Sequence, residues 1–302
     1  MQDNRNSRYI NGLLLALLCY ASWGVFPVYW KLLKSVPSDQ ILAHRIVWSL
    51  FFLAILMVML RNKTVLNYIK NWRIAGLLLL TGSLVCSNWG VYIFAVNHNR
   101  IVDTSLGYYI NPIVNVLLGV IFLKEKLGRL QKWAVFFALS GIIWLTFYIG
   151  RLPWISVYLA ISFGTYGLLR KKANLESLPA LLIETLLLTP VALGYLFMAE
   201  HNGSGSFMHG PWWISVLLIV GGPVTALPLY WFGKAATRIP LSTIGFIQYL
   251  SPTIALLIGI FVYHEPFKTP YIIAFLMVWT GLALYTLSIL RDYRLLKAQA
   301  AK

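Results

Sequence analysis

Adding 140 to a residue number in the first half of this chain of 302 residues lands on a residue of the same kind in the second half. Ser22, Gly24 and Lys31 fall on Ser162, Gly164 and Lys171, and Phe26 falls on Tyr166. Tyr109, Pro112, Leu117, Gly119 and Glu125 fall on Tyr249, Pro252, Leu257, Gly259 and Glu265, and Gly141 falls on Gly281. A fixed period over half a chain is the mark of a duplicated unit, and it fixes the architecture more tightly than any local motif.

Both copies are made of long apolar segments. Hydrophobic residues make up 59% of the chain and charged residues 11%, where a soluble domain carries about 25% charged residues. So few charges cannot cover the surface that a soluble fold of this size leaves in water. The chain therefore reads as an all-α membrane protein. Spans of about 20 residues fit a bilayer, and ten are expected, near 11–33, 41–60, 74–97, 103–123, 131–149, 154–170, 180–199, 211–233, 239–262 and 270–290. Residues 11–150 and 151–290 form the two units of five, with tails at 1–10 and 291–302.

Net charge is +16, from 25 Lys and Arg against 9 Asp and Glu. The basic residues sit in short connections, as topology requires, and no basic module for nucleic acid is present. If the amino terminus is cytoplasmic, only Lys31, Lys34, Arg100, Arg151 and Lys268 fall outside; the rest fall inside, apart from Arg45 within the second span. Both termini are thus expected in the cytoplasm. Five spans per unit is an odd number, so the second unit enters the bilayer from the opposite side. The repeat is then inverted, with a site expected between the units near the midplane.

Four segments carry a family resemblance: Ala21-Ser22-Trp23-Gly24-Val25-Phe26-Pro27, His44-Arg45-Ile46-Val47-Trp48-Ser49, Ser105-Leu106-Gly107-Tyr108-Tyr109-Ile110-Asn111-Pro112 and Ile239-Pro240-Leu241-Ser242-Thr243-Ile244-Gly245-Phe246-Ile247-Gln248-Tyr249. The chain resembles RarD-type proteins, in the EamA family of the drug/metabolite transporter superfamily. The likeness runs from the first span to the last. It implies a ten-helix carrier of the bacterial inner membrane with two EamA repeats, in a group whose members move amino acids, nucleotide-sugars, purines and drugs. It also favours export. Fold alone does not choose among those substrates.

Ionisable groups inside spans are costly and mark cavities or partners. His44 and Arg45 in the second span and Glu184 in the seventh are the candidates, and His44 and Glu184 are mates at the offset of 140. Either could carry a coupling proton, since the ordinary histidine pKa lies near neutrality. Arg45 could clamp an anionic group through its planar fork, or snorkel to headgroups. The plain alternative for Arg45 and Glu184 is interhelical hydrogen bonding.

A second cluster is polar and aromatic: Trp23, Asn88, Tyr109, Asn111, Tyr166, Gln248 and Tyr249. Pro112 and Pro252 interrupt equivalent helices, and paired interruptions point to a transporter site. Pro27 and its counterpart Gly167 read as bends of the first and sixth spans. Plain packing is the competing reading for the aromatic residues. Glu125 and Glu265, at helix ends, read as structural, capping the following helix or pairing with loop Lys or Arg.

Cys19 and Cys86 lie in apolar runs and read as small hydrophobes. No metal spacing, P-loop or Gly-x-Ser-x-Gly elbow is present, so neither cofactor nor enzyme chemistry is expected. The expected function is secondary transport of a small organic metabolite, an amino acid or an amphipathic drug-like solute, by a monomer or dimer in contact with membrane lipids. A lipid scramblase or channel-like pore is the alternative.

Overall fold

The structure, a computed structural model, describes residues 2–61, 64–123, 127–173, 175–236, 238–239 and 247–300. The regular structure among those residues is helical, with no strand. The helices are α1 (Gln2–Leu32), α2 (Ser38–Met59), α3 (Thr64–Lys70), α4 (Trp72–Asn97), α5 (Ile101–Leu123), α6 (Arg129–Ile149), α7 (Trp154–Ala173), α8 (Ser177–His201), α9 (Trp212–Ala236), α10 (Leu250–Leu257) and α11 (Thr269–Ala300). A π-helical turn, Ile258–Val262, continues α10.

Among the described residues, eight helices are long and apolar enough to cross a membrane: α1, α2, α4, α5, α6, α8, α9 and α11. The sixth and ninth expected spans depart from that pattern. α7 is 20 residues long, but Ser, Thr and Gly dilute its apolar face and Arg170, Lys171 and Lys172 close it. The ninth is broken: helix resumes at Leu250 after a turn at Gln248 and Tyr249, and residues 240–246 lie outside the described set. The seven-residue α3 was not expected, because one short turn between two spans carries no periodic signal.

Helix ends follow from local chemistry. The Asn71 carboxamide oxygen accepts from the backbone N–H of Arg73 (3.1 Å) and Ile74 (3.4 Å) and starts α4. Gly150, at φ 73°, ends α6 in the left-handed conformation that glycine adopts without strain. The start of α5 is capped from far away. Glu265 accepts from the backbone N–H of Ile101 and Val102, both at 3.0 Å, where the helix dipole favours a carboxylate. Glu265 thus caps a helix of the other half rather than the helix that follows it. Glu125, its counterpart, lies outside the described residues.

Equivalent helices meet across the two halves. In α2 and α8, Asp39 lies against Tyr195 while Met57 packs with Leu181, so the pair runs antiparallel. In α6 and α11, a Cβ on Gly141 would stand 3.0 Å from the Ala274 carbonyl oxygen, and one on Gly281 would stand 2.7 Å from the Ala134 carbonyl oxygen. Ala134 and Ala274 are themselves mates at the offset of 140. The first helices of each half behave alike. Gly24 of α1 abuts Ile254 of α10, and Gly164 of α7 abuts Val114 of α5. Val114 and Ile254 are again mates. Each half therefore lays its first helix on the other half's fourth.

Large apolar side chains face outward, Phe147 and Val58 among them, as lipid contact requires. Trp72 and Trp212, mates at the starts of α4 and α9, are both more than three-quarters exposed. Tyr68, on the helix just before Trp72, binds Glu176 at the start of α8, while Gln40 at the start of α2 binds Ser204 just past the end of α8, on the Trp212 side. The two indoles stand at opposite ends of the bundle, where interfacial aromatic residues collect.

Candidate functional site

The buried ionisable groups fall into two places. Arg45 is 4% exposed and sits among α1, α2, α4 and α9. Its Nε–H donates to Thr225 Oγ1 at 2.6 Å. Its guanidinium lies 3.9 Å from the Trp89 ring centroid and 5.1 Å from that of Trp30. Such contacts are each worth about 2 kcal/mol or more when desolvated. Thr225 in turn donates to the Gly221 carbonyl, which fixes its lone pairs towards Arg45. The snorkelling alternative for Arg45 does not fit this placement.

Glu184 is 1% exposed and sits among α4, α7 and α8. Thr81 Oγ1 donates to it at 2.6 Å, the Tyr166 hydroxyl donates at 3.4 Å, and Arg170 Nη1 is 3.6 Å away. Gly82 lets α4 approach this point: a Cβ there would stand 3.2 Å from Glu184 Cβ. Acid, base and two hydroxyls form one network linking the halves.

His44 is placed apart from Glu184, although the two are mates. Its ring lies 5.1 Å from that of Phe207, and its Nε2 is buried without a hydrogen-bond partner among the described residues. No contact joins it to Glu184 among those residues. Symmetry in sequence puts them on equivalent positions of antiparallel helices, so they sit on opposite sides of the bundle's middle.

Asn88 and Asn111 are both turned towards α7. Asn88 Nδ2 donates to the Leu159 carbonyl (3.0 Å) and Ser162 Oγ (2.9 Å), and its Oδ1 accepts from the Tyr108 hydroxyl (3.4 Å). Asn111 Nδ2 donates to the Ala160 carbonyl (3.0 Å), and its Oδ1 accepts from Asn115 Nδ2 (3.1 Å). These amides clamp α7 to α4 and α5.

Tyr109 and Tyr249 stack on one another, with ring centroids 6.3 Å apart and planes 13° apart. Thr253 Oγ1 donates its only proton to the Tyr249 carbonyl, so the Tyr109 hydroxyl is the donor in its 2.5 Å bond to Thr253 Oγ1. Gln248 is half-buried in the turn before α10, and Pro252 lies in the first turn of that helix. The interruption of the ninth span thus falls just before the proline, which suits a helix start. Pro112 lies within the continuous backbone of α5. Trp23 meets Tyr20 edge-on at 5.2 Å. Pro27 lies inside α1, and Gly167 lies in α7 with open space where its Cβ would be.

Several participants escaped the sequence reading. Thr81 and Thr225 are hydroxyls within apolar helices and carry no pattern of their own. Arg170 resembled a loop anchor. Pro190, Pro223 and Pro228 lie inside α8 and α9 without symmetric prolines to flag them. The equivalent glycines Gly24 and Gly164 are visible in the repeat, and the structure shows each as a close approach between helices of the two halves.

Comparison with known proteins places this architecture. The model of the EamA-like transporter family matches residues 10–147 and again 153–287. A protein named "Uncharacterized transporter YojE" from Bacillus subtilis (strain 168) is 45% identical over 283 residues, covering 92% of this chain and 94% of its own. A protein named "Protein RarD" from Escherichia coli (strain K12) is 40% identical over 284 residues, covering 94% and 96%. A solved crystal structure, 17% identical, covers 95% of this chain and 98% of its own with a TM-score of 0.59, a likeness of fold alone. With two matches that together span nearly its whole length, the chain belongs to the EamA-like transporter family and is a multi-pass membrane protein.

Proposed function

We propose that this protein is a secondary carrier that moves a small organic metabolite, an amino acid or an amphipathic drug-like solute, by alternating access. The observation that carries the reading is the reciprocal, antiparallel packing of equivalent helices: α2 with α8, and α6 with α11. Two halves built this way present the same contact to each other from either side. A small rocking motion then exchanges which side is open. This supports ten spans in two inverted units of five, with α7 and the broken stretch around α10 completing the count. The surplus of Lys and Arg in alternate connections supports a cytoplasmic location for both termini, and the family supports the bacterial inner membrane as the site and export as the direction.

The substrate site is assigned to the region between the halves, with Arg45, Trp89 and Trp30 as one set of lining groups and the Tyr109–Tyr249 stack as a second contact between the halves. Glu184 and His44 are the groups offered for proton coupling. Glu184 is held by one base and two hydroxyls that can re-pair when it gains or loses a proton.

The test is counterflow in proteoliposomes with labelled solutes. A carrier gives saturable exchange that unlabelled solute accelerates. Conductance without saturation, or mixing of labelled lipids without solute exchange, would favour a pore or a scramblase instead. Coupling is tested by an imposed pH gradient: uphill movement should be lost in Glu184→Gln or His44→Ala while counterflow persists. Uphill movement unchanged in both variants would remove these residues from the coupling step.

A further inference from the structure

Arg45 is a buried cation with no ion-pair partner among the described residues. Removing a guanidinium from water costs several kcal/mol unless charge and hydrogen bonds replace the lost hydration. Of its five N–H groups, only Nε–H has a hydrogen-bond acceptor among the described residues. The carboxylates of Asp39, Asp103, Glu184, Glu200 and Glu265 are committed to Tyr195, Arg100, the Thr81–Arg170 network, His209 and the start of α5 respectively. Trp89 lies over the guanidinium at 3.9 Å, so partners can approach the group chiefly along its edge. That edge offers paired, coplanar N–H donors, the geometry that matches two oxygens of one oxyanion.

A second observation points the same way. Trp30, whose ring lies 5.1 Å from the same guanidinium, is fully buried, and its Nε1–H has no partner among the described residues. Two neighbouring side chains, from α1 and α2, therefore present donors with no acceptor. A buried donor is costly to leave unpaired. An oxyanion at the edge of the guanidinium would supply the acceptors that the fork lacks. Aromatic rings lie close by: Trp89 and Trp30 flank the guanidinium, and Tyr29 and Tyr92 share a core cluster with Trp30.

We infer that the transported solute is an organic anion, and that its carboxylate sits edge-on against the Arg45 guanidinium with its apolar body on the surrounding aromatic rings. This rests on the carrier reading and narrows its substrate class. Thr225, on α9 of the other half, orients the fork, so binding the anion joins the two halves through Arg45. A neutral or cationic solute of the same shape would leave the donors unpaired and pay the desolvation cost without return.

The test uses the purified full-length protein in detergent, with thermal unfolding read against matched probes. Benzoate and N-acetyl-L-phenylalanine are the carboxylates, benzamide and N-acetyl-L-phenylalanine amide their neutral counterparts, benzylamine the cation and phenyl phosphate the second oxyanion. Phosphatidylglycerol is added in a separate arm, to distinguish a lipid headgroup from a soluble anion. The expected result is stabilisation by the carboxylates and not by the amides or the amine. Arg45→Gln should weaken the carboxylate effect about 30-fold or more in apparent Kd, and Arg45→Lys should fall between. The acid-against-amide comparison needs only the unaltered protein, so it holds even where a variant folds poorly. Amides or the amine stabilising as well as the acids, no carboxylate stabilising at all, phosphatidylglycerol alone doing so, or an Arg45→Gln protein that responds fully would overturn the inference. The carrier reading fails separately. A carboxylate that binds through Arg45 but shows no counterflow sinks transport and keeps the site, whereas Arg45-independent counterflow of a neutral solute does the reverse.

Discussion

Tyr109 and Tyr249 hold equivalent positions in the two halves, and their rings face each other 6.3 Å apart, only 13° from parallel. The contact joins the two halves directly, and the Tyr109 hydroxyl reinforces it through Thr253. Any motion that parts the halves at this point must break one stack and one hydrogen bond. Aromatic pairs contribute about 0.5–1.5 kcal/mol beyond the area they bury. A double-mutant cycle of Tyr109→Ala and Tyr249→Ala, read by unfolding in detergent, should return a coupling energy of that size. Additive losses would show that the stack joins nothing.

Gly281 presses α11 onto the Ala134 carbonyl of α6, with 2.7 Å left for a Cβ. Backbone cannot yield as a side-chain tip can. Gly281→Ala should therefore cost about 1–3 kcal/mol, as overpacking does. Gly76, in α4, has open space around its missing Cβ, so Gly76→Ala should be neutral or stabilising by up to about 1 kcal/mol from helix propensity. Unfolding midpoints of the two variants in one detergent check the contrast in sign.

The repeat was legible because identical offsets survive in residues that packing cannot spare: Gly24, Gly141, Gly164 and Gly281 are all contact points between halves. Arg45 and Glu184 were legible as charges in apolar runs. Their partners were not. Thr81 and Thr225 hydroxyls suit any helix interior, since each can bond a carbonyl one turn back, and nothing in the order of residues tells which of them faces a charge. The role given to Asn88 and Asn111 was likewise open until their partners, carbonyls of α7, were seen. The ninth span reads as continuous because scattered Ser, Thr and Gln residues do not interrupt its apolar run; the break before Pro252 is a matter of backbone, not of hydropathy.

Asn88 and Asn111 are committed to α7, so their removal should act on stability rather than on solute binding. Asn88→Ala and Asn111→Ala should each cost about 1–3 kcal/mol by leaving buried groups unpaired. Apparent affinity for a transported solute should stay within about twofold in the variant that folds. A large affinity loss at normal stability would return these amides to the binding site.

Burial of Glu265 raises its pKa above the ordinary 4.5, outweighing the backbone N–H groups of Ile101 and Val102 and the charge of Lys31, which lower it. The folded protein then holds this proton more tightly than the unfolded chain. Its contribution to stability is greatest below 4.5 and is lost as pH rises through the folded value. In the window just above 4.5, acidification should raise the unfolding midpoint of the unaltered protein relative to Glu265→Gln. A difference between the two proteins that does not change with pH would contradict the assignment.

The whole account depends on the halves facing each other with opposite orientation in the bilayer. The Gly128 turn and Lys268 occupy equivalent places at the offset of 140. With Cys19 and Cys86 first replaced by Ser, Gly128→Cys and Lys268→Cys should each be exposed to a membrane-impermeant maleimide applied to intact cells or to opened ones. Labelling at position 268 from outside and at position 128 only after opening is the result the inverted pairing predicts. Both positions labelled from the same side would contradict it, and alternating access between the halves would fall with it.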